Sequence, residues 1–244
     1  TGPVGWDPAL RWDLGAKLAG FDPGYFLADW KGNVSGDLAS KGQARETGGF
    51  DATLDVPKLG GSLRGRKLDG RGKFALHGEQ GEGELALSLG NSRVNAKGKV
   101  GDRLDIDANL QPLHLDDLLP DANGSIAGTL KLTGARNAPN LDADLTGSGL
   151  KWSGYSADAL SVHGRLPWAG SGGELAVRGS AVDVGMVLDS VRLDARGAVE
   201  NLRFDGDANN SMGSVSLAGT ALKRGANWQG SLDALQLTPS KGSS

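Results

Sequence analysis

The sequence predicts an all-β protein of repeated antiparallel strands, and three observations support this prediction. Apolar and polar residues alternate with a period of two through most of the chain, as in residues 104–110, where the even positions are apolar. Helical periodicity is almost absent. The 244 residues include 40 glycines, which favour turns, bulges and kinks in strands.

The number of strands predicts the shape of the sheet. We count roughly sixteen alternating runs, separated by turn clusters such as Gly90-Asn91-Ser92. At about 4.8 Å per strand the sheet would extend for about 75 Å. Open sheets of more than about ten strands curl. We therefore expect an elongated, curved β-sheet half-pipe with an apolar concave face.

Two short segments interrupt the strand pattern, Phe21–Asp29 and Leu113–Leu119. Each combines a few apolar residues with a polar turn, which predicts one or two short helical crossovers between strand blocks. We expect Leu118 and Leu119 to be buried against the sheet.

These segments open an internal repeat, because residues 26–42 align with residues 118–134 in glycine and leucine spacing. Stacked repeats form a quasi-one-dimensional body. The expected organisation is one elongated repeat body over residues 1–244, with repeat units 21–112 and 113–204, further strands in 205–237 and a disordered tail in 238–244.

Composition limits the possible partners and chemistry. The 26 basic and 29 acidic residues are interspersed, so no basic stripe points to nucleic acid. The absence of cysteine excludes disulfides and thiolate chemistry. No apolar run approaches the ~18 residues of a membrane span, and no signal peptide is visible. We interpret the chain as a fragment of a longer protein.

The search for catalytic residues gives a negative expectation. His77, His114 and His163 are scattered, and common nucleotide-binding, hydrolase and metalloprotease motifs do not occur. Pairs such as Asp105 and Asp107 alternate with apolar residues, which favours a solvated outer face over a cation site. We expect no enzymatic activity, no cofactor and no metal.

An apolar sheet face must be covered, and no amphipathic helix is available to cover it. A trough of this size exceeds what soluble monomers leave exposed, which favours an apolar client. The residues expected to line this groove are Val34, Leu38, Leu54, Phe74, Leu76, Leu85, Leu87, Leu104, Ile106, Leu110, Ile126, Leu130, Leu132, Leu141, Leu145, Leu160, Val162, Leu175, Val177, Val191, Leu193, Leu202, Phe204, Val215 and Leu217.

Residues 112–134, PLHLDDLLPDANGSIAGTLKLTG, followed by Pro139-Asn140-Leu141, resemble the repeats of the TamB family and are similar in style to AsmA-like proteins. The first copy departs from the pattern, since Ala28 stands where Pro120 stands in the second. The resemblance implies a β-taco fold in the periplasm, an inner-membrane anchor outside this fragment, and an outer-membrane partner of the Omp85 type.

The resemblance also implies work in outer-membrane biogenesis. The first hypothesis is a groove that binds phospholipid acyl chains and conducts them between the inner and outer membranes. The alternative is a chaperone-like scaffold that receives nascent outer-membrane β-strands, because exposed strand edges accept added strands. A third hypothesis, an enzyme on a β-solenoid, needs clustered carboxylates that the sequence does not offer.

Overall fold

The computed structural model describes residues 2–6 and 9–240, and most of them lie in strands. The all-β prediction is confirmed. The sixteen described strands are β1 (Val4–Gly5), β2 (Arg11–Phe21), β3 (Gly32–Ala44), β4 (Phe50–Leu63), β5 (Arg66–His77), β6 (Gln80–Leu89), β7 (Ser92–Val100), β8 (Arg103–His114), β9 (Asn123–Ala135), β10 (Ala138–Trp152), β11 (Tyr155–Leu166), β12 (Gly173–Asp183), β13 (Val187–Ala198), β14 (Asn201–Asn210), β15 (Gly213–Arg224) and β16 (Asn227–Pro239).

Short helical turns lie where the sequence predicts crossovers. Two 3-10 turns, Pro23–Tyr25 and Ala28–Trp30, connect β2 to β3, and the single α-helical turn α1 (Leu115–Leu118) precedes β9. The expected burial of Leu118 and Leu119 is wrong, since Leu118 is only half-buried and Leu119 is 40% exposed. Leu119 already has extended backbone angles, so its side chain no longer follows the helical face. Asp117 is the fully buried residue of this turn.

Contacts divide the chain into two units, Thr1–Leu113 and His114–Ser244. In the first unit, β1 to β8 pair in chain order, each strand antiparallel to the next. In the second unit, β9 to β16 form the same kind of meander. Neighbouring strands are joined mainly by short turns, which is the connection that antiparallel pairing permits.

The last strand continues into the segment expected to be a disordered tail. Thr238 pairs with Ser214, Pro239 pairs with Gly213, and the backbone N–H of Ser240 donates to the carbonyl of Met212 at 2.8 Å. Pairing with β15 therefore orders residues 238 and 239. The remainder of the predicted tail, residues 241–244, lies outside the described residues.

Two glycines inside strands hold conformations that other residues avoid. Gly128 has φ 126° and Gly164 has φ 128°. A Cβ built on Gly128 would lie 1.9 Å from the carbonyl oxygen of Asp144, and one on Gly164 would lie 2.1 Å from that of Glu174. Only glycine fits these close backbone approaches.

Candidate functional site

Strand pairing places the predicted groove residues of the first unit on one face of its sheet. Residues directly opposite each other in antiparallel strands share a face, and Phe74 is opposite both Leu54 and Gly83, while Gly98 is opposite Ile106. Positions two apart on one strand also share a face. The predicted residues on this face are Val34, Leu38, Leu54, Phe74, Leu76, Leu85, Leu87, Leu104, Ile106 and Leu110.

The second unit has an equivalent apolar face. Leu145 is opposite Val162, which is opposite Val177, which is opposite Leu193. The predicted residues on this face are Ile126, Leu130, Leu132, Leu141, Leu145, Leu160, Val162, Leu175, Val177, Val191, Leu193, Leu202, Phe204, Val215 and Leu217.

These apolar faces are open. Of the predicted groove positions only Val34 is buried, and the others are half-buried or exposed. The described strands of each unit form a single layer, with no second described sheet packed on this face. An ordinary sandwich core would bury most of these side chains. The face therefore retains apolar surface for another molecule.

In the first unit the apolar face forms an open hollow of about 510 Å³, lined by residues that include Leu54, Phe74, Leu76 and Ile106. Glycines make room for it, because large side chains lie flat across the glycines beside them. A Cβ on Gly72 would lie 2.8 Å from the ring of Phe74. Sequence reasoning treated these glycines only as kinks, since the alternation pattern does not show which glycine a ring covers.

The opposite face of the same strands carries a ladder of alternating charges. Asp55, Lys73, Glu84, Lys97 and Asp107 are paired in that order across five adjacent strands. A second hollow, of about 660 Å³, lies along this ladder. Hollows on both faces are expected of a twisted sheet. The volume of a hollow therefore does not identify the functional face. The lining does, because one hollow is lined by apolar side chains and the other by hydrated charged side chains.

A compact ion network lies on the charged face of the second unit. Asp194, 7% exposed, accepts hydrogen bonds from Arg178 Nη2 at 2.6 Å and from Arg192 Nε at 2.9 Å. The hydrogen bond from Arg178, followed by that from Arg192, holds the pKa of Asp194 below its ordinary value. The same contact raises the pKa of Arg192. This arrangement satisfies the buried carboxylate and suits a structural role.

One rim of the second unit is held by a chain of polar contacts around Trp168. Its backbone N–H donates to Asn140 Oδ1 at 2.9 Å, and its indole Nε1–H donates to Glu200 Oε1 at 2.9 Å. The ammonium of Lys223 lies 4.4 Å from the ring centroid, within range of a cation–π interaction. Sequence reasoning missed this link because its members lie far apart in the chain and follow no local pattern.

The histidines are not assembled into a catalytic centre. His163 Nδ1 lies 3.2 Å from Asp144 Oδ1, and His77 Nδ1 lies 3.7 Å from Asp51 Oδ1, all on exposed or half-exposed surface. Within residues 2–6 and 9–240, no group of three or more histidine and acidic side chains is placed to hold a metal. In that same part of the chain, no helix has the length and apolarity needed to span a bilayer.

The fold and the site define a class of protein, namely antiparallel meander repeats with an open apolar sheet face. The sequence model of the family "TamB, N-terminal domain" matches residues 1–243, and the chain belongs to that family. It is 26% identical over 206 residues to the "Translocation and assembly module subunit TamB" of Haemophilus influenzae, a match that covers 82% of this chain and 16% of that protein. No solved structure matches the chain.

Proposed function

We propose that the apolar faces bind phospholipid acyl chains and pass them along the sheet, without catalysis. The observation that carries this proposal is the openness of the face: leucine, valine and phenylalanine side chains line it, and only Val34 among the predicted positions is buried. Covering such a surface with an apolar chain removes it from water and lowers the free energy.

Half-burial sets the strength of binding. Each methylene of an acyl chain contributes about 0.8 kcal/mol to the binding free energy when it is fully buried. On an open face that buries half of each methylene, the contribution is about 0.4 kcal/mol per methylene. About ten methylenes would then gain about 4 kcal/mol, which the loss of translational and rotational freedom largely offsets. Binding at any one position is weak, as a conduit requires if chains are to move on.

Family membership supports a place for this activity in the envelope. The Haemophilus influenzae relative is a subunit of a translocation and assembly module. We propose that the chain works in the periplasm as part of a longer protein of outer-membrane biogenesis. The full-length protein would be anchored in the inner membrane and would meet an outer-membrane partner of the Omp85 type.

A charge on the apolar face tests the proposal. Leu130 lies on this face opposite Ala143, whereas Thr133, on the same strand, lies on the other face opposite Asn140. Leu130→Asp should weaken binding of a fluorescent fatty acid to the apolar face of the second unit by about tenfold or more, because a carboxylate in the lining keeps water there. Thr133→Asp should bind like the wild type. Far-UV circular dichroism should remain β-like for both, because Leu130 is half-exposed.

The opposite result would identify a closed core. If Leu130→Asp unfolds the protein, the face is sealed in solution and burying an unpaired charge there is not tolerated. If Leu130→Asp folds and binds the fatty acid as tightly as the wild type, acyl chains do not use this face.

A further inference from the structure

The crossover between β2 and β3 displays three consecutive apolar side chains. Tyr25 is 91% exposed, Phe26 78% and Leu27 60%. These three residues, here called the aromatic knuckle, form a small apolar protrusion at one rim of the first unit. Three consecutive large apolar residues, each at least 60% exposed, make this protrusion a candidate contact site.

Local hydrogen bonds hold the knuckle in place. Asp22 Oδ1 accepts from the backbone N–H of Gly24 at 2.9 Å and of Gly32 at 2.8 Å, which ties the two ends of the crossover together. The N–H of Leu27 donates to the carbonyl of Pro23 at 3.1 Å. Because the protrusion is ordered in advance, less conformational entropy is lost when it binds.

The knuckle is continuous with the apolar face. Phe21 is opposite Val34, a predicted groove residue. The ring centroid of Phe26 lies 6.2 Å from that of Phe21 and 6.4 Å from that of Tyr25. Aromatic surface therefore runs without a break from the groove face to the tip of the crossover.

Three basic residues lie near the base of the knuckle. The backbone N–H of Arg64 donates to the carbonyl of Lys31 at 2.6 Å, and the guanidinium of Arg64 lies 5.8 Å from the ring centroid of Trp30 in the crossover. Arg66 begins β5 after the turn that follows β4. The nearby acids are Asp29 and Asp22, and the carboxylate of Asp22 faces the backbone amides described above. The apolar side chains of the knuckle suit the interfacial layer of a bilayer, and the basic residues beside them suit the phosphates of anionic lipids.

We propose that the aromatic knuckle inserts into the interfacial region of an anionic phospholipid bilayer, with Lys31, Arg64 and Arg66 near the lipid phosphates. The docking brings the edge of the apolar face to the lipid surface. Three side chains are far fewer than the 20–30 residues a side of a stable protein–protein interface, whereas shallow insertion of a few side chains suits a bilayer. This inference deepens the proposed function, because it names the surface that supplies acyl chains.

Vesicle co-sedimentation of the full chain tests the docking. The wild type should bind vesicles of phosphatidylcholine with phosphatidylglycerol more tightly than phosphatidylcholine alone, and salt should weaken the binding. Combined Tyr25→Ser, Phe26→Ser and Leu27→Ser should lower the partition coefficient at least about tenfold. Combined Lys31→Gln and Arg64→Gln should remove most of the preference for anionic vesicles, at roughly fivefold per cation.

A matched control uses three less exposed apolar residues of the second unit, namely Val184 and Met186 in the turn between β12 and β13, and Val187, the first residue of β13. The three serine substitutions there should leave vesicle binding within about twofold of the wild type. The inference is overturned if the wild type does not bind anionic vesicles, even if the knuckle is found to bind a protein instead. It is also overturned if the knuckle variant binds vesicles as tightly as the wild type.

Acyl binding separates this inference from the proposed function. The knuckle variant should still bind a fluorescent fatty acid in the absence of vesicles, because the apolar face is unchanged. If the wild type binds vesicles through the knuckle but binds no fatty acid, the membrane contact is supported and the proposed acyl conduit is contradicted.

Discussion

The ring of Phe74 lies over Gly83 of the neighbouring strand, so closely that a Cβ built on Gly83 would be 2.6 Å from Phe74 Cδ1. The two residues are directly opposite each other on the apolar face. The aromatic ring therefore covers backbone instead of standing out from the sheet. This contact fixes the floor of the hollow in the first unit.

Gly83→Ala should be destabilising. The new methyl group would also lie 2.9 Å from the carbonyl oxygen of Lys73, so both the ring and the backbone would have to move. We expect a loss of about 1–3 kcal/mol in the free energy of unfolding, the usual cost of overpacking. Chemical denaturation with an unchanged m-value measures it.

Gly81→Ala is the matched control, on the same strand and the same face. The nearest atom to its added Cβ is 3.8 Å away, so the change should be neutral or slightly stabilising. Equal losses for both variants would show that Phe74 does not rest on Gly83.

Trp168→Phe should loosen the polar rim of the second unit. The variant keeps an aromatic ring near Lys223 but loses the hydrogen bond from Nε1 to Glu200, which is 2.9 Å long. Loss of a hydrogen bond to a charged acceptor predicts a cost of about 1–2 kcal/mol in chemical denaturation. Trp152→Phe, at the exposed end of β10, should change stability by no more than about 0.5 kcal/mol. If Trp168→Phe were equally silent, the link to Glu200 would contribute nothing.

Asp194→Asn should flatten the acid dependence of stability. The folded-state pKa of Asp194 is lowered, first by the hydrogen bond from Arg178. Its stabilisation is therefore present above the unfolded pKa of about 3.9 and is lost as the pH falls through the lower folded value. Between neutral pH and about pH 4 the variant should be less stable than the wild type, and below that the two should converge.

Asp142→Asn provides the comparison for this pH series, because Asp142 is an exposed carboxylate on the same kind of surface. Its denaturation midpoints should follow the wild-type curve. If the Asp194 variant also follows that curve down to strongly acidic pH, the network around Asp194 does not form in solution.

The alternation of apolar and polar residues predicts the two faces of a strand well, because successive side chains point to opposite faces of the sheet. Leu104, Ile106 and Leu110 share a face once β8 is recognised, whatever its neighbours are. Bulges are harder to predict: the register shift between Val56 and Leu59 around Pro57 moves the apolar positions from even to odd. Links such as Trp168 to Glu200 depend on which turns meet at a rim. Spacing along the chain carries no signal for them.

Photo-crosslinking in cells tests the central claim most directly, with the probe placed on opposite faces of single strands in the full-length protein. Ile106 and Leu130 lie on the apolar faces of the first and second units, and their sequence neighbours Asp107 and Lys131 lie on the charged faces. The account predicts that a probe at Ile106 or Leu130 captures phospholipid, whereas a probe at Asp107 or Lys131 does not. Equal capture from both faces, or no lipid at Ile106 and Leu130, would contradict it.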